Sequence, residues 1–561
     1  MAATNPRDHF PLLLHSLCDR GARMQPDNLI VTKTTAGYNT LTFQEHQART
    51  LRLASALDKW GVKVGDRVAT MMWNTAQHFQ CYHAISCMGA ILHTLNLRLG
   101  PADLGFIIKH AADRVVFVDS SILGILAGVE SPVLDSVQLY VCVGEDGAPG
   151  KWTLPPQIPK AKTQDFEAFL GTGNETFVWP EVPETSLHAL CYTSGTTGVP
   201  KGAAYSQRST YLHTLACGGA DQLGIRGSDV VLPFVPMFHV LSWGVPFILM
   251  TLGARTVFNG RFMDPDSLLD CFADWGVHFS CGVPAVWQGV RAAIERRGVA
   301  KLAEVLRLRL VTCGGSAPPE EMMAWYMDNL KVEFLQGWGM TETNPLCSLG
   351  RYVAKHKDLA KSPDELLRNI SKAGLPVPGV DVRIADPDNL ERSMPQGEPG
   401  ELLVRGPRVI QEYFQHPAPD KFHKGWLITG DVAKIDEEGA IVISDRSKDV
   451  IKSGGEWISS IDLENHIASM RGVVMAAVVA MPHPRWDERP VATVVLEPGA
   501  SKEGLKQRMD EHCLAKFAKF QLPDDVVVWP EIPLTSTGKI DKKVIREKLK
   551  AQGYVLPSAK L

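Results

Sequence analysis

The sequence predicts an α/β protein with a large N-terminal domain and a small C-terminal α+β domain. Three observations predict this fold class. Up to about residue 340, short apolar runs alternate with helix-like stretches, which is typical of mostly parallel sheets. Between residues 376 and 445 the apolar positions alternate with period two, as in an antiparallel sheet. The rest of the chain mixes strand patterns with amphipathic helices.

The parallel part divides into two series, which indicates two α/β sheet subdomains. In the first series we predict strands at 67–72 and 114–118 and a helix at 76–88. In the second series we predict strands at 188–192, 230–234, 255–258 and 308–312. Each of these strands is a short apolar run, which is the length and character of a buried strand.

The antiparallel unit and the C-terminal domain follow. Strands are predicted at 380–384, 401–405 and 440–444, and the turn signal Glu437-Glu438-Gly439 precedes the last of them. The C-terminal domain has predicted strands at 474–480, 492–496 and 525–528 and helices near 461–470, 502–515 and 541–550. Charged residues at 445–449 separate the two patterns, so we divide the chain into domains 1–445 and 446–561.

Composition excludes several classes of protein. The chain has 561 residues, of which 45% are hydrophobic and 21% charged, as in a soluble globular protein rather than a disordered or fibrous one. The 58 basic and 62 acidic residues give a net charge of −4, so no global basic surface for nucleic acid is expected. The most apolar stretch, 240–254, is interrupted by Pro246 and is too short to cross a bilayer.

Cysteine usage and the chain termini indicate a reducing compartment. The closest pairs among the 11 cysteines, Cys81/Cys87 and Cys271/Cys281, fit neither a zinc pattern nor a disulfide framework, so we predict reduced thiols. The N-terminal residues do not have the pattern of a signal peptide. The last residues, Ala559-Lys560-Leu561, are a conservative variant of the Ser-Lys-Leu peroxisomal signal. In a eukaryotic source we therefore expect an import receptor as partner and a peroxisomal location, and otherwise a cytoplasmic one.

A glycine- and hydroxyl-rich segment, Tyr192-Thr-Ser-Gly-Thr-Thr-Gly-Val-Pro-Lys-Gly202, directly follows a predicted strand. Glycines let the backbone approach a phosphate, and hydroxyl and N–H groups donate to its oxygens. The segment is not a Walker A loop, because Pro200 precedes the lysine and Gly202 follows it. We therefore predict a phosphate-binding loop of another type, formed by Thr193, Ser194, Gly195, Thr196, Thr197, Gly198 and Lys201.

This loop resembles that of the adenylate-forming superfamily, which includes acyl- and aryl-CoA synthetases, peptide-synthetase adenylation domains and luciferases. Further matching segments follow in the family's order over nearly the whole chain: Pro236-Met-Phe-His239, Gly314-Gly-Ser-Ala-Pro318, Gln336-Gly-Trp-Gly-Met-Thr-Glu342, Thr429-Gly-Asp431, Asp445-Arg-Ser-Lys-Asp449, Lys452-Ser-Gly-Gly-Glu-Trp-Ile458 and Leu534-Thr-Ser-Thr-Gly-Lys539. Two of them, at 236–240 and 452–459, resemble medium- and long-chain fatty acyl-CoA synthetases most closely.

The resemblance implies a β-barrel-like unit before residue 445, a mobile C-terminal domain, and a reaction in two halves. A carboxylate attacks the α-phosphorus of ATP and gives an acyl-adenylate, and the thiol of coenzyme A then gives a thioester. The implied substrates are therefore ATP, coenzyme A and a hydrophobic carboxylic acid, with Mg²⁺ as cofactor. The resemblance is also compatible with a homodimer.

The resemblance also assigns roles in the nucleotide site. Thr341 would donate to the α-phosphate, and Glu342 would bind Mg²⁺, because Mg²⁺ prefers oxygen ligands. Asp431 would accept both ribose hydroxyls, since a carboxylate is acceptor-only, and Arg446 would contact the ribose. Trp338 would stack on adenine, and the remaining residues of this site are Gly315, Ser316, Ala317, Gln336, Gly337, Gly339 and Met340.

The C-terminal domain would supply two different groups by rotating about Lys448. Lys539 would bridge the substrate carboxylate and the α-phosphate in the first half, and its charge would offset their repulsion. Rotation would then bring the coenzyme A segment, Lys452, Ser453, Gly454 and Gly455, to the site.

The acid would be bound by an apolar pocket that includes His239, Trp243, Phe238 and Val283, with Phe234, Met237 and Trp287 as further apolar candidates. No aspartate that would hold an α-amino group is present between residues 230 and 254, which argues against an amino-acid-activating domain. Three alternatives stay open: an aryl, cinnamate-like acid as substrate, a carrier-protein phosphopantetheine as acceptor, and a luciferase-like oxygenase.

Overall fold

The computed structural model describes residues 10–144, 150, 152–193, 199–351, 362–454, 456–535, 539–554 and 556. Several predicted site residues lie outside this part of the chain, namely Ser194, Gly195, Thr196, Thr197, Gly198 and Gly455. The C-terminal residues Ala559, Lys560 and Leu561 also lie outside it, so the peroxisomal signal stays a prediction.

The α-helices of the described residues are, in chain order, α1 (Leu14–Met24), α2 (Phe43–Trp60), α3 (Ala76–Cys87), α4 (Pro101–Ala111), α5 (Ser131–Ser136), α6 (Phe166–Leu170), α7 (Gln207–Cys217), α8 (Val245–Leu252), α9 (Pro265–Trp275), α10 (Pro284–Arg297), α11 (Val299–Val305), α12 (Glu320–Leu330), α13 (Pro363–Ile370), α14 (Ser460–Ala468), α15 (Leu505–Leu514) and α16 (Lys542–Ala551). Local sequence sets their ends. For example, Thr42 and Glu45 form a capping box at the start of α2, and Gly61 ends that helix with φ of 107°.

The strands of the first two sheets are β1 (Leu29–Thr34), β2 (Gly37–Thr42), β3 (Arg67–Met71), β4 (Ile91–Thr94), β5 (Val115–Asp119), β6 (Leu139–Val143), β7 (Thr163–Asp165), β8 (Leu187–Thr193), β9 (Lys201–Ser206), β10 (Val230–Leu232), β11 (Arg255–Phe258), β12 (Phe279–Gly282), β13 (Leu310–Gly314), β14 (Glu333–Gly339), β15 (Leu346–Leu349) and β16 (Leu375–Pro376). Within the described ranges, one sheet has seven strands in the order β7-β6-β5-β3-β4-β8-β9, and the other has nine in the order β16-β15-β14-β13-β12-β10-β11-β1-β2.

The central strands of both sheets are parallel. In the nine-stranded sheet, β14, β13, β12 and β10 are neighbours and run in the same direction. In the seven-stranded sheet only β8 and β9 pair antiparallel among the pairs described. Helices and apolar strand faces pack into extended buried clusters, the largest of which joins residues of both sheets.

The antiparallel unit follows with β17 (Asp381–Asp386), β18 (Asn389–Ser393), β19 (Gly400–Arg405), β20 (Phe422–His423), β21 (Trp426–Ile435) and β22 (Ile441–Arg446). These strands form one antiparallel sheet with its own buried cluster. It is the barrel-like unit that the resemblance implied.

The C-terminal unit contains β23 (Ile451–Ser453), β24 (Glu456–Ile458), β25 (Val473–His483), β26 (Asp487–Leu496) and β27 (Asp525–Val528). They form a separate mixed sheet, and α14, α15 and α16 supply residues to the two cores beside it. The predicted fold class is therefore confirmed. The sheet boundary lies between β22 and β23, next to the domain boundary that the charged residues suggested.

A search of the described helices finds none with the length and apolar character needed to span a membrane. The apolar stretch at 240–254 instead contains a short turn and α8, which is buried against α1.

Candidate active site

The site begins at the carboxyl ends of four neighbouring parallel strands. Because β10, β12, β13 and β14 point the same way, the segments that follow them meet at one edge of the sheet. These segments carry residues 234–243, Val283, 315–317 and 341–342. The fold thus brings together motifs that are separated by more than a hundred positions in the sequence.

Lys539 extends from the C-terminal unit to this edge. A Cβ atom placed on Gly315 would lie 3.2 Å from the Lys539 Cε atom and 3.2 Å from a methyl carbon of Val283. Gly315 has φ of 87°, a conformation that favours glycine. The absence of a side chain also lets the lysine approach closely. Thr535 holds the other end of the segment, because its hydroxyl accepts the Lys539 N–H at 3.1 Å.

The charge on Lys539 lies among other ionised groups. Burial and the nearby Arg446 guanidinium lower its pKa to about 8, although the carboxylates Asp431 and Glu342 act in the opposite direction. These influences place Lys539 close to the residues that were predicted to bind ribose and Mg²⁺. The structure therefore brings Lys539 together with Arg446, Asp431 and Glu342.

Asp431 is buried and oriented by two donors. The Trp338 indole N–H donates to its Oδ2 atom at 3.0 Å, and Arg446 pairs with Oδ1 at 3.2 Å. Strand pairing explains the second contact, because Asp431 on β21 and Arg446 on β22 are register partners. The indole of Trp338 is thus anchored at its nitrogen. Its stacking on adenine stays a prediction.

Glu342 follows β14 in a short turn and is almost fully buried. The Tyr413 hydroxyl donates to its Oε1 atom at 2.6 Å, and the Lys201 ammonium lies 5.3 Å from the centre of the Tyr413 ring. Burial and the Glu342 carboxylate raise the pKa of Tyr413, so the phenol stays a donor. A buried carboxylate fits the oxygen-ligand chemistry of Mg²⁺, and Tyr413 lies between this carboxylate and Lys201.

Long-range hydrogen bonds hold Thr341 and the segment around it in place. Tyr205 on β9 donates its hydroxyl to the Thr341 carbonyl at 2.6 Å, which ties the seven-stranded sheet to this turn. Asn344 has φ of 62° and donates its amide to the Thr210 hydroxyl at 2.9 Å. Gly339 is required here, because a Cβ atom would meet the Pro345 carbonyl oxygen at 2.0 Å.

The two ends of the predicted phosphate loop are adjacent. Thr193 ends β8, Lys201 begins β9, and these residues are register partners. The two residues that flank the predicted loop therefore lie side by side at one point of the sheet. That point is next to Glu342, because Tyr413 contacts both Lys201 and Glu342.

Residues of the predicted acid pocket lie near Lys539. Burial, together with the positive charges of Lys539 and Arg98, lowers the pKa of His239 to about 3, so this imidazole is neutral. Trp243 approaches the end of β13, since a Cβ atom on Gly314 would lie 3.0 Å from its ring. Val283 reaches the same place from the start of α10.

Three other apolar candidates lie in the packed interior. Phe234, Met237 and Trp287 are buried core residues, and Trp287 packs edge-on against Tyr326 and Phe334. Phe238 is buried in a further cluster, and its carbonyl accepts the Thr94 hydroxyl at 3.2 Å. The observed contacts of these four residues are core packing and support of the pocket segment.

Lys448 lies between a residue bonded to the antiparallel sheet and a residue bonded to the C-terminal unit. The Ser447 hydroxyl donates to Glu401 at 2.8 Å, which fastens it to the antiparallel sheet. Asp449 pairs with Arg546 of α16 at 3.0 Å, which fastens it to the C-terminal unit. Lys448 itself is exposed. The backbone at Lys448 therefore joins two separately anchored segments, as a hinge would.

The coenzyme A segment begins on β23. Ser453 is buried and accepts a hydrogen bond from Arg489 at 3.0 Å, whereas Lys452 is exposed. Gly454 has φ of 61°, and a Cβ atom there would contact the Trp486 ring at 2.9 Å. These residues belong to the same unit as Lys539.

Sequence reasoning missed the residues that support the site. Tyr413 and Tyr205 each orient a predicted residue through a long-range hydrogen bond, and Glu401 holds Ser447, the neighbour of the predicted hinge residue. Tyr413 is 71 positions from Glu342 and Tyr205 is 136 from Thr341, so no local pattern marks them.

Comparisons with known proteins agree with this geometry. Residues 18–414 match the family model "AMP-binding enzyme", and residues 462–539 match "AMP-binding enzyme C-terminal domain". The chain is 39% identical to a 3-methylmercaptopropionyl-CoA ligase of Ruegeria lacuscaerulensis over 96% of this chain and 98% of that protein. It is 38% identical to a medium-chain-fatty-acid–CoA ligase of Ectopseudomonas oleovorans over 96% of each. The crystal structure of ATP-bound MatB from Rhodopseudomonas palustris superimposes with a TM-score of 0.78 at 26% identity over 95% of this chain and 99% of that one.

The fold and the convergent site define an adenylate-forming enzyme. The extent of both family matches and the identity to the two ligases then place the chain more closely: it belongs to the AMP-binding enzyme family. Within that family it is an acid–thiol ligase.

Proposed function

We propose that the protein is an ATP-dependent acyl-CoA synthetase that activates a hydrophobic carboxylic acid, with medium- or long-chain fatty acids as the first candidates. The acid's carboxylate oxygen attacks the α-phosphorus of ATP, and pyrophosphate leaves. The thiolate of coenzyme A then attacks the acyl carbon of the adenylate, and AMP leaves as the thioester forms.

The position of Lys539 is the observation that carries this proposal. Its side chain contacts Gly315 at the sheet edge, with Asp431 and Glu342 close enough to affect its pKa and with Val283 and His239 beside it. A carboxylate and a triphosphate repel each other when they approach. A partly buried ammonium between them reduces this repulsion more than a solvated one would, because the local dielectric constant is low.

Glu342 is the residue suited to Mg²⁺. Tyr413 occupies its Oε1 atom, and the carboxylate has a second oxygen for a hard cation. Bound Mg²⁺ would supply positive charge to the phosphates. The protein's own part is to hold Glu342 in place through Tyr413, whose ring also contacts Lys201.

The uncharged residues near Lys539 support an apolar acid as the substrate. His239 is uncharged at neutral pH, and Trp243 and Val283 add apolar surface near Lys539. The relatives named above act on acids of different size, which supports the class of acid but not one chain length. We therefore propose the class and leave the length to experiment.

The second half of the reaction needs Lys539 to leave. Rotation about Lys448 would carry the C-terminal unit as one body, because Asp449 and Arg546 remain paired within it. The glycine at position 454 would let the pantetheine arm pass close to the backbone. The thiolate would then reach the acyl carbon that Lys539 had faced.

A release assay tests the proposed function. Purified protein is given ATP, Mg²⁺ and acids of two to eighteen carbons together with aromatic acids, and pyrophosphate and AMP are measured with coenzyme A, without it, and with a carrier domain in its place. We expect AMP and an acyl-CoA product with apolar chains. If product forms only with the carrier domain, the result favours a carrier-loading ligase. If cinnamate-like acids are preferred, the result favours an aryl-CoA ligase. No AMP with any acid would contradict the proposal.

A further inference from the structure

A cluster of thiol and imidazole groups lies between α1 and α3, outside the site described above. It consists of Cys18 on α1 and of His83 and Cys87 on α3. One ligand-type atom of each residue lies within 4.8 Å of those of the other two. All three side chains are buried, with exposed fractions of 2% and 4% for the cysteines. The proposed acyl transfer uses none of these residues.

The arrangement is close to that of a metal site. His83 and Cys87 are four positions apart on one helix, so their side chains lie on the same face. In a tetrahedral zinc site with Zn–S of about 2.3 Å and Zn–N of about 2.0 Å, ligand atoms are about 3.3 to 3.8 Å apart. Small side-chain rotations would therefore bring these three atoms to ligand distances.

Two further donors lie beside His83, one at each ring nitrogen, and both stand outside the group of three whose atoms lie within 4.8 Å of one another. Asp19 places Oδ1 3.0 Å from the Nε2 atom, and His46 places its own Nε2 3.3 Å from the Nδ1 atom. Asp19 is held in turn by the Trp179 indole N–H at 2.9 Å and the Gln47 amide at 2.8 Å. Whichever ring nitrogen faces the thiols, the other is hydrogen-bonded by a partner, as is typical of metal-bound histidine.

We propose that Cys18, His83 and Cys87, with Asp19 or His46 as fourth ligand, form a buried structural Zn²⁺ site that joins α1 to α3. Two thiols and an imidazole suit a borderline-soft cation such as Zn²⁺ and do not suit Mg²⁺. Binding would release one proton from each thiol to solvent, and no oxidant is needed. The site would be structural because its three ligand side chains are buried.

The sequence alone does not reveal this set of ligands. Cys18 and His83 are 65 positions apart, so the spacing shows no zinc pattern, and we expected none from the cysteine pairs nearest in sequence. Only the packing of α1 against α3 joins them. The cysteines are free in the structure, in agreement with the prediction of reduced thiols, and the proposed site would add a metal at two of them.

Metal analysis of the full chain tests this proposal. Protein produced with Zn²⁺ and dialysed against metal-free buffer is analysed for zinc, and Co²⁺ is added to the apoprotein to record thiolate-to-cobalt absorption. Cys18→Ser and Cys87→Ser are compared with Cys513→Ser, which changes a buried cysteine of the C-terminal unit. We expect about one zinc per chain in the wild type and in Cys513→Ser, and less than a tenth of this in the other two variants.

A second measurement distinguishes loss of the metal from loss of folding in the variants. A strong chelator should lower the thermal midpoint of the wild type and of Cys513→Ser and leave that of Cys18→Ser unchanged. The proposal is wrong if reduced wild-type protein takes up neither Zn²⁺ nor Co²⁺, if the bound metal is unaffected by Cys18→Ser and Cys87→Ser, or if the two cysteines are isolated as a disulfide. None of these readouts depends on ligase activity.

Discussion

Lys539 has to be charged for the proposed chemistry, yet its surroundings disfavour the charge. Burial and Arg446 lower its pKa to about 8 in the absence of substrates. The group is therefore mostly protonated below pH 8 and loses its proton as the pH rises through that value. Anionic substrates would raise the pKa again, because they stabilise the ammonium.

This gives a prediction for pH dependence. The kcat/KM for pyrophosphate release, which reports on the free enzyme, should fall about tenfold per pH unit above pH 8, and kcat should fall only at higher pH. Lys539→Arg keeps a charge at all these values and should lack this decline, although its rate is lower. The measurement is the pH profile of both enzymes between pH 6.5 and 10. An identical alkaline decline in Lys539→Arg would show that another group titrates.

Trp338 contributes a hydrogen bond as well as a ring. In Trp338→Phe the aromatic surface remains, but the donor to Asp431 is lost. A hydrogen bond to a charged group contributes about 1.5 to 3 kcal/mol, so the KM for ATP should rise about tenfold or more with little change in kcat. Steady-state kinetics check this. Trp426→Phe changes a tryptophan on β21, the strand that carries Asp431, and it should leave the KM within about twofold; equal effects would contradict the assigned role.

At the scale of an element, the turn between β10 and α8 is unusual. Val240, Leu241, Ser242 and Trp243 all have φ between 43° and 57°, which costs roughly 1 to 2 kcal/mol for each residue. Burial of the apolar residues and a 2.7 Å hydrogen bond from the Ser242 hydroxyl to the Val235 carbonyl offset this cost. The turn fixes Trp243 against the end of β13.

Gly244 ends this turn, and its replacement tests whether the turn is sterically fixed. It has φ of 73°, and a Cβ atom would lie 2.5 Å from the ring of the buried His213. Gly439 has φ of 83°, and a Cβ atom there would meet no other atom. Gly439→Ala therefore carries only the cost of the positive φ and no steric clash. Gly244→Ala should be less stable than Gly439→Ala by about 1 to 3 kcal/mol, measured as a lower unfolding midpoint. Equal midpoints would show that the turn can move away from His213.

A second element joins the C-terminal unit to the large domain. Asp445, on β22, accepts hydrogen bonds from the Ser460 backbone at 2.7 Å and from its hydroxyl. Lys542 lies 4.0 Å from Asp445 and 2.9 Å from Glu464. Ser460, Glu464 and Lys542 belong to the C-terminal unit, so the proposed rotation about Lys448 would break their contacts to Asp445. These contacts therefore favour the orientation in which Lys539 is inserted.

Asp445→Asn should shift the balance between the two orientations. With the charge removed, we expect pyrophosphate formation to slow several-fold, whereas attack of coenzyme A on supplied acyl-adenylate is unchanged or faster. Single-turnover assays of each half measure this. Asp449→Asn is the matched control, because its partner Arg546 lies within the C-terminal unit and the pair should survive rotation. Equal slowing of both halves by Asp445→Asn would contradict this role.

At the scale of the whole molecule, strand patterns and local motifs were predictable and long-range support was not. The strand predicted at 255–258 and the position of Gly315 after a strand match the structure, because apolar runs and glycine turns are encoded locally. The contact of Tyr413 with Glu342 and the cluster of Cys18 with His83 depend on how distant elements pack. Neither leaves a periodic or motif-like signal in the sequence.

The most direct test separates the two halves of the reaction in Lys539→Ala, with Lys543→Ala, which removes an exposed lysine of α16, as control. Pyrophosphate release from ATP and acid should fall more than a hundredfold in Lys539→Ala, while thioester formation from supplied acyl-adenylate should stay within about threefold of the wild type. Lys543→Ala should retain both activities. If Lys539→Ala loses both halves to the same extent, or keeps pyrophosphate release, one inserted lysine does not drive activation of the acid.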